Sequence, residues 1–140
     1  MVRLIKLSFT LLIIFSFTKS EGTMIVKVTG ITELKGNIML AIFDKSTGFG
    51  DDDYAIDKKV IKVVQFNQEI KLTGLVGGKK IAIALYHDAN DNLKLDKNFL
   101  GIPVEKYGFS NDTRSMFGPP SFESAAFSFQ DGKTISIRVE

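Results

Sequence analysis

The fold class is indicated first by KKIAIALYH, residues 79–87, which follows two glycines and precedes an acidic stretch. From position 81 its odd-numbered positions carry large side chains, and its even-numbered positions include Ala82 and Ala84. A period of two places these two sets on opposite faces of a β-strand. Because both sets are mostly apolar, we predict a central strand that is packed on both faces.

Six further segments have the short length and alternation of strands. They are residues 24–28, 37–43, 58–66, 69–72, 125–129 and 134–139. Asn67-Gln68 and Asp131-Gly132 separate neighbouring segments and predict two hairpins. No segment after residue 20 shows helical periodicity over ten residues, although Asp51–Asp53 is suited to capping a short helical turn. The pattern predicts an all-β domain: a single antiparallel β-sandwich of about seven strands, transthyretin-like or immunoglobulin-like, with one long ordered loop.

The N-terminus has the features of a secretory signal peptide. Arg3 and Lys6 precede an apolar run of about 11 residues, and small residues follow near Ser20. That run is shorter than the roughly 20 residues of a membrane-spanning helix. We therefore expect a signal peptide over residues 1–20 and a domain over residues 21–140. The mature protein would have no membrane span and would reside in the periplasm or be secreted.

Composition excludes several kinds of chemistry. The chain has no cysteine and a single histidine, so disulfides, thiol nucleophiles and multi-histidine metal sites are excluded. Loss of Arg3, Lys6 and Lys19 with the leader would change the net charge from +2 to −1. Since no basic cluster remains, we expect no nucleic-acid partner.

A candidate calcium site follows the central strand. The side chains of Asp88, Asn90, Asn92 and Asp96 and the backbone carbonyl of Lys94 occupy alternate positions. Oxygen ligands with this spacing are typical of Ca²⁺-binding loops. The sequence therefore predicts a weak Ca²⁺ site that would pin the loop to the end of the strand.

The match to an EF-hand loop is incomplete. Leu93 stands where the sharp turn prefers glycine, and Phe99 replaces the bidentate glutamate at the twelfth position. The alternative is an ordinary solvated loop, in which Asp and Asn side chains form Asx-turns. The spacing leaves both interpretations open.

The long connection from residue 88 to about residue 124 is rich in aromatic residues. One interpretation is an aromatic ligand-binding groove. Its candidate ligand surface consists of Tyr107, Phe109, Arg114, Phe117 and Phe122. The other interpretation is a loop that packs onto the domain with a small core of its own. Arg114 would either clamp a ligand carboxylate or pair with Glu123, and we expect the pairing.

No catalytic residue is predicted. His87, at a strand end, is interpreted as a partly exposed structural histidine. The segment around Ser110 lacks the second glycine of a nucleophile elbow.

Three hypotheses for the function follow. The first is a non-enzymatic binding or accessory module of the cell envelope with an unknown ligand or protein partner. The second is a structural module whose loop only caps the core, and the third is a small hydrolase. Oligomeric state is not predicted.

Several stretches resemble an exported bacterial family known as domain of unknown function 2141. They are residues 75–96, 99–103, 105–111 and 117–122. The resemblance covers nearly the whole mature chain and implies a secreted or periplasmic β-sandwich without an established activity. The family pattern has glycine where this chain has Asp91 and Leu93.

Overall fold

The computed structural model describes residues 21–140, in which 44% of residues lie in strands and 8% in helical turns. The predicted all-β class is confirmed. Within these residues there are eight strands and one short α-helix: β1 (Glu21–Thr29), β2 (Asn37–Phe43), β3 (Asp57–Lys62), β4 (Gln68–Val76), β5 (Lys80–Asp88), β6 (Tyr107–Phe109), α1 (Phe122–Ala125), β7 (Phe127–Ser128) and β8 (Lys133–Arg138). Two 3₁₀ turns, Asp52–Tyr54 and Ser110–Asp112, make up the rest of the helical content. The signal peptide prediction concerns residues 1–20, which lie outside the described residues.

The strands form two sheets. One sheet has three strands in the order β4-β1-β8, and the other has the order β3-β2-β5-β6, with β7 also paired to β5. β1 and β8 run parallel, with Met24 opposite Lys133 and Thr29 opposite Arg138. The prediction of a purely antiparallel arrangement is therefore wrong for this pair. The first and last strands are neighbours, and this pairing leaves no local sequence signal.

Side chains from both sheets share one core. Val26, Leu72 and Ile137 come from the three-stranded sheet, and Leu40 and Ile83 come from the five-stranded sheet. All five are at most 2% exposed. The alternation of strand residues predicts this inner face correctly, because every second residue of β2 and β5 points to the other sheet.

A second core covers the outer face of the five-stranded sheet. Phe43 of β2 and Ala82 of β5 pack there with Phe109, Phe122 and Ala125. β5 is thus buried on both faces, as its sequence predicts. The small Ala82 side chain leaves room for the aromatic rings, so this half of the long connection is a packed layer.

Both predicted hairpins are wrong. β3 pairs with β2, whereas β4 pairs with β1 in the other sheet. Likewise β7 pairs with β5, whereas β8 pairs with β1. The turns at Asn67-Gln68 and Asp131-Gly132 therefore carry the chain from one sheet to the other. Gln68 supports the first crossing, because its side-chain amide donates to the Lys62 carbonyl at 2.8 Å.

Candidate functional site

The acidic loop begins at the buried end of β5. Asp88 is fully buried, and its carboxylate accepts hydrogen bonds from the backbone N–H groups of Asn92 at 3.1 Å and Leu93 at 2.8 Å. Asp91 and Leu93 both have left-handed backbones, with φ of 63° and 62°. The loop therefore curls tightly around the Asp88 side chain.

The other predicted calcium ligands do come together. The side-chain amide of Asn90 donates to Asp96 at 2.6 Å, and that of Asn92 donates to both Asp96 carboxylate oxygens at 3.0 Å. The Lys94 N–H donates to the Asn92 side-chain oxygen at 2.9 Å. These groups thus satisfy one another. Among residues 21–140 no three acidic or histidine side chains are arranged so that they could hold a metal ion.

Glu105 is a member of this cluster that the sequence reasoning missed. One of its carboxylate oxygens accepts from the Asp96 N–H at 3.1 Å, and the other, Oε1, is buried with no hydrogen-bond partner among the described residues. Glu105 follows Asp96 by nine positions, beyond the span of a compact cation-binding loop. No spacing signal could have found it.

A groove of about 900 Å³ lies beside this loop, over the outer face of the five-stranded sheet. Met39, Ala84 and Tyr86 of β2 and β5 form its floor. Its walls come from the 50–52 turn, the acidic loop and the segments 100–103 and 115–119. Most of the lining is apolar, as is typical of small-molecule sites.

The groove has an apolar rim that water reaches. Leu93, Leu100, Ile102 and Met116 all line it, and each is more than half exposed. Soluble proteins seldom cluster large apolar side chains at the surface unless something binds there. This clustering makes the groove the strongest candidate for a ligand site among the described residues.

The five residues of the predicted ligand surface take four different positions. Tyr107 and Phe109 line the groove, whereas Phe122 is buried in the second core. Phe117 is 88% exposed and lies between two groove residues without lining the groove itself. The remaining residue, Arg114, belongs to a structural contact.

Arg114 ties the long connection to the end of the chain. Its guanidinium donates to the carbonyls of Tyr107 and Arg138 at 3.1 and 2.9 Å and pairs with Glu140 at 3.1 Å. Arg114 therefore pairs with Glu140, and the expected pairing with Glu123 is wrong. Sequence spacing could not indicate Glu140, because it lies beyond β8.

The floor of the groove is electronegative. Burial, together with the negative charges of Asp52, Asp88, Glu105 and Asp96 in that order, raises the pKa of Tyr86 to about 12. Partial burial also raises the pKa of Asp52, which lines the groove. No hydrogen bond to the Tyr86 hydroxyl is found among residues 21–140. The floor therefore places the Tyr86 phenol among carboxylates, in a groove whose lining also holds Lys94 and Lys97.

The residues considered for catalysis have structural positions. His87 is only 4% exposed, and its Nε2 lies 2.8 Å from the Lys35 carbonyl, so its predicted partial exposure is wrong. Ser110 is fully buried and donates to the Ala125 carbonyl at 2.6 Å. As predicted, Asp51 caps the Asp52–Tyr54 turn by accepting from the Asp53 N–H at 3.1 Å.

Fold and site together define an all-β domain with a groove on its larger sheet. In the comparison with protein families, residues 26–137 match the family described as "Uncharacterized protein conserved in bacteria (DUF2141)". The chain belongs to this family, which confirms the resemblance seen in the sequence. No curated protein and no solved structure matches the chain. Within residues 21–140 no helix has the length and apolarity needed to cross a membrane.

Proposed function

We propose that this protein is an exported, non-enzymatic binding module of the bacterial cell envelope, and that the groove is its ligand site. The observation that carries the proposal is the exposed apolar rim around a cavity of about 900 Å³. The two sheets share a core, which supports the interpretation of the domain as a β-sandwich. On this fold the acidic loop and the aromatic connection build the site.

The ligand we propose is an amphipathic cation: a protonated amine on an apolar body. The negative potential around Tyr86 attracts a positive charge, and tyrosine rings provide additional cation–π attraction. Lys94 and Lys97 also line the groove, but both are exposed, so water screens them strongly. Asp52 is exposed like these lysines, whereas Asp88 is fully buried and its charge is screened less.

The proposal is tested by comparing the affinities of alkylamines with those of alkanoates of the same chain length. Calorimetric titration of the protein comprising residues 21–140 should give at least tenfold tighter binding of the amine. Asp52→Asn should reduce that preference, because it removes one of the charges that act on Tyr86. Asp53→Asn is the matched control, since Asp53 adjoins Asp52 without lining the groove. Equal affinities for amine and alkanoate, or no binding of either, would contradict the proposal.

We also propose that the acidic loop binds Ca²⁺ weakly in the calcium-rich medium outside the cell. The unpartnered Glu105 oxygen and the oxygen-rich loop support it. A rotation of the Asn90 and Asn92 amides would present oxygen atoms to a cation in place of NH₂ groups.

The proposed export is tested separately by N-terminal sequencing of the native protein. A start near Glu21 would support it, and an intact Met1 would contradict it.

The structural alternative has one observation in its favour. Phe109 and Phe122 are buried in the second core, so half of the long connection acts as a cap. If capping were the whole function, truncation of the exposed rim at Met116 would change neither binding nor stability. The alkylamine titration of Met116→Ser therefore separates the two candidates.

A further inference from the structure

A second cavity of about 250 Å³ lies next to the groove on the same face of the sheet. It reaches the edge strand β3, because Lys58, Lys59 and Val60 line it. Three residues line both cavities: Met39, Asp52 and Leu93. These three therefore form the boundary between the cavities.

Leu93 differs from the other two boundary residues. Met39 belongs to β2 and forms part of the floor, whereas Leu93 comes from the acidic loop and is 56% exposed. Its φ of 62° is a conformation that costs energy for a residue with a branched side chain. The hydrogen bond from its N–H to Asp88 at 2.8 Å holds it there. The fold thus places a large apolar side chain at a position that glycine would occupy without strain.

We propose that Leu93 is a specificity-determining residue: it limits the length of the apolar chain that the groove accepts. This inference rests on the proposed function of the groove. With Leu93 in place, an apolar chain that lies in the larger groove meets this side chain at the boundary. Without the Leu93 side chain only Met39 and Asp52 stand between the two cavities, which leaves room for the chain to extend toward Val60.

A series of n-alkylamines of increasing chain length tests the limit. For the wild-type protein, each added methylene should tighten binding about fourfold, which corresponds to about 0.8 kcal/mol, until the chain reaches Leu93. Longer chains should then show no further gain. In Leu93→Ala and Leu93→Gly the gain should continue to longer chains.

The two variants separate side-chain size from backbone strain. Leu93→Ala removes the bulk but keeps a side chain at positive φ, whereas Leu93→Gly removes both. A shift in limiting length that occurs in both variants supports the proposal, and a shift in Leu93→Gly alone overturns it. Leu100→Ala is the control, since Leu100 lines only the larger groove. It should weaken every amine without moving the limit.

The outcomes for the two proposals are distinct. If the wild-type protein binds the amines but the limiting length is the same in all variants, the proposal that Leu93 sets the limit is wrong and the proposed function of the groove stands. If the wild-type protein binds no alkylamine at any length, both are wrong.

Discussion

The backbones of Tyr107 and Glu140 exchange two hydrogen bonds, with N–O distances of 3.3 and 3.2 Å. Tyr107 begins β6 at the edge of the five-stranded sheet, whereas Glu140 follows β8 of the three-stranded sheet. These bonds join the two sheets along one side. Arg114 strengthens the junction through its bonds to the Tyr107 and Arg138 carbonyls.

Arg114→Ala should lower the free energy of unfolding by about 1–2 kcal/mol, because two charge-assisted hydrogen bonds and a partly exposed ion pair with Glu140 are lost. Urea titration measures this change. Arg114→Lys should recover only part of it, since an ammonium group lacks the planar fork that reaches both carbonyls. Full recovery by lysine would show that charge alone matters at Arg114.

Gly108→Ala should destabilise the same junction by about 1–3 kcal/mol through overpacking. A Cβ at Gly108 would lie 2.4 Å from the Arg138 carbonyl oxygen. Gly77→Ala is the matched control, because a Cβ there meets nothing within 4 Å. Thermal melts of the two variants make the comparison, and equal melting temperatures would refute the close approach at Gly108.

Tyr86 should ionise near pH 12, and Tyr86→Phe should remove this step from the tyrosinate absorbance. Because the folded-state pKa lies above the ordinary value of about 10, the associated stability is fully present below pH 10. It is lost as the pH rises from about 10 through 12. The stability of Tyr86→Phe should therefore depend less on pH in this window. If the step that Tyr86→Phe removes is centred near pH 10, the phenol ionises as an exposed one and its burial is excluded.

Calcium should raise the melting temperature if the acidic loop binds it. At 100 times the dissociation constant, mass action stabilises the folded state by about 2.7 kcal/mol. Asp96→Asn should abolish the rise, whereas Asp52→Asn should retain it. Asp96→Asn is preferable to removal of Asp88, which would also release two backbone N–H groups.

Bound calcium should also act on the groove. Positive charge beside Asp88, Asp96 and Glu105 would offset the negative potential that raises the pKa of Tyr86. Alkylamine affinity should then fall when calcium is added.

Both calcium predictions share one contradicting outcome. Identical melting curves in millimolar calcium and in chelator would mean that the loop is held by its own hydrogen bonds alone.

Local patterns were enough to predict seven of the eight strands but not their partners. The bounds of β2 agree with the predicted segment 37–43, and the two-faced burial of β5 follows from Ala82 and Ala84. Alternation reports which face a side chain takes, and it carries no information on which strand lies alongside. β6 was missed because three residues, one of them Gly108, are too few to show a period.

The candidate site was predicted only in part, because local patterns do not show which distant segments meet. Asp88 and Asp96 are close in sequence, so their spacing indicated a shared loop. The groove instead joins Asp52, Tyr86 and Leu93 from separate segments, and only the folded sheet brings them together. The strain at Leu93 does have a sequence signal, since Leu93 stands where the sharp turn of a calcium-binding loop prefers glycine.

The parallel pairing of β1 with β8 has a consequence for the order in which the protein folds. Their paired residues are about 110 positions apart, so closing this contact is among the largest entropic costs of folding. The three-stranded sheet cannot be completed until β8 has been synthesised, and such non-local topologies fold slowly. For a protein that is exported, as proposed here, slow completion of this sheet would lengthen the time during which the chain can cross a membrane before it folds.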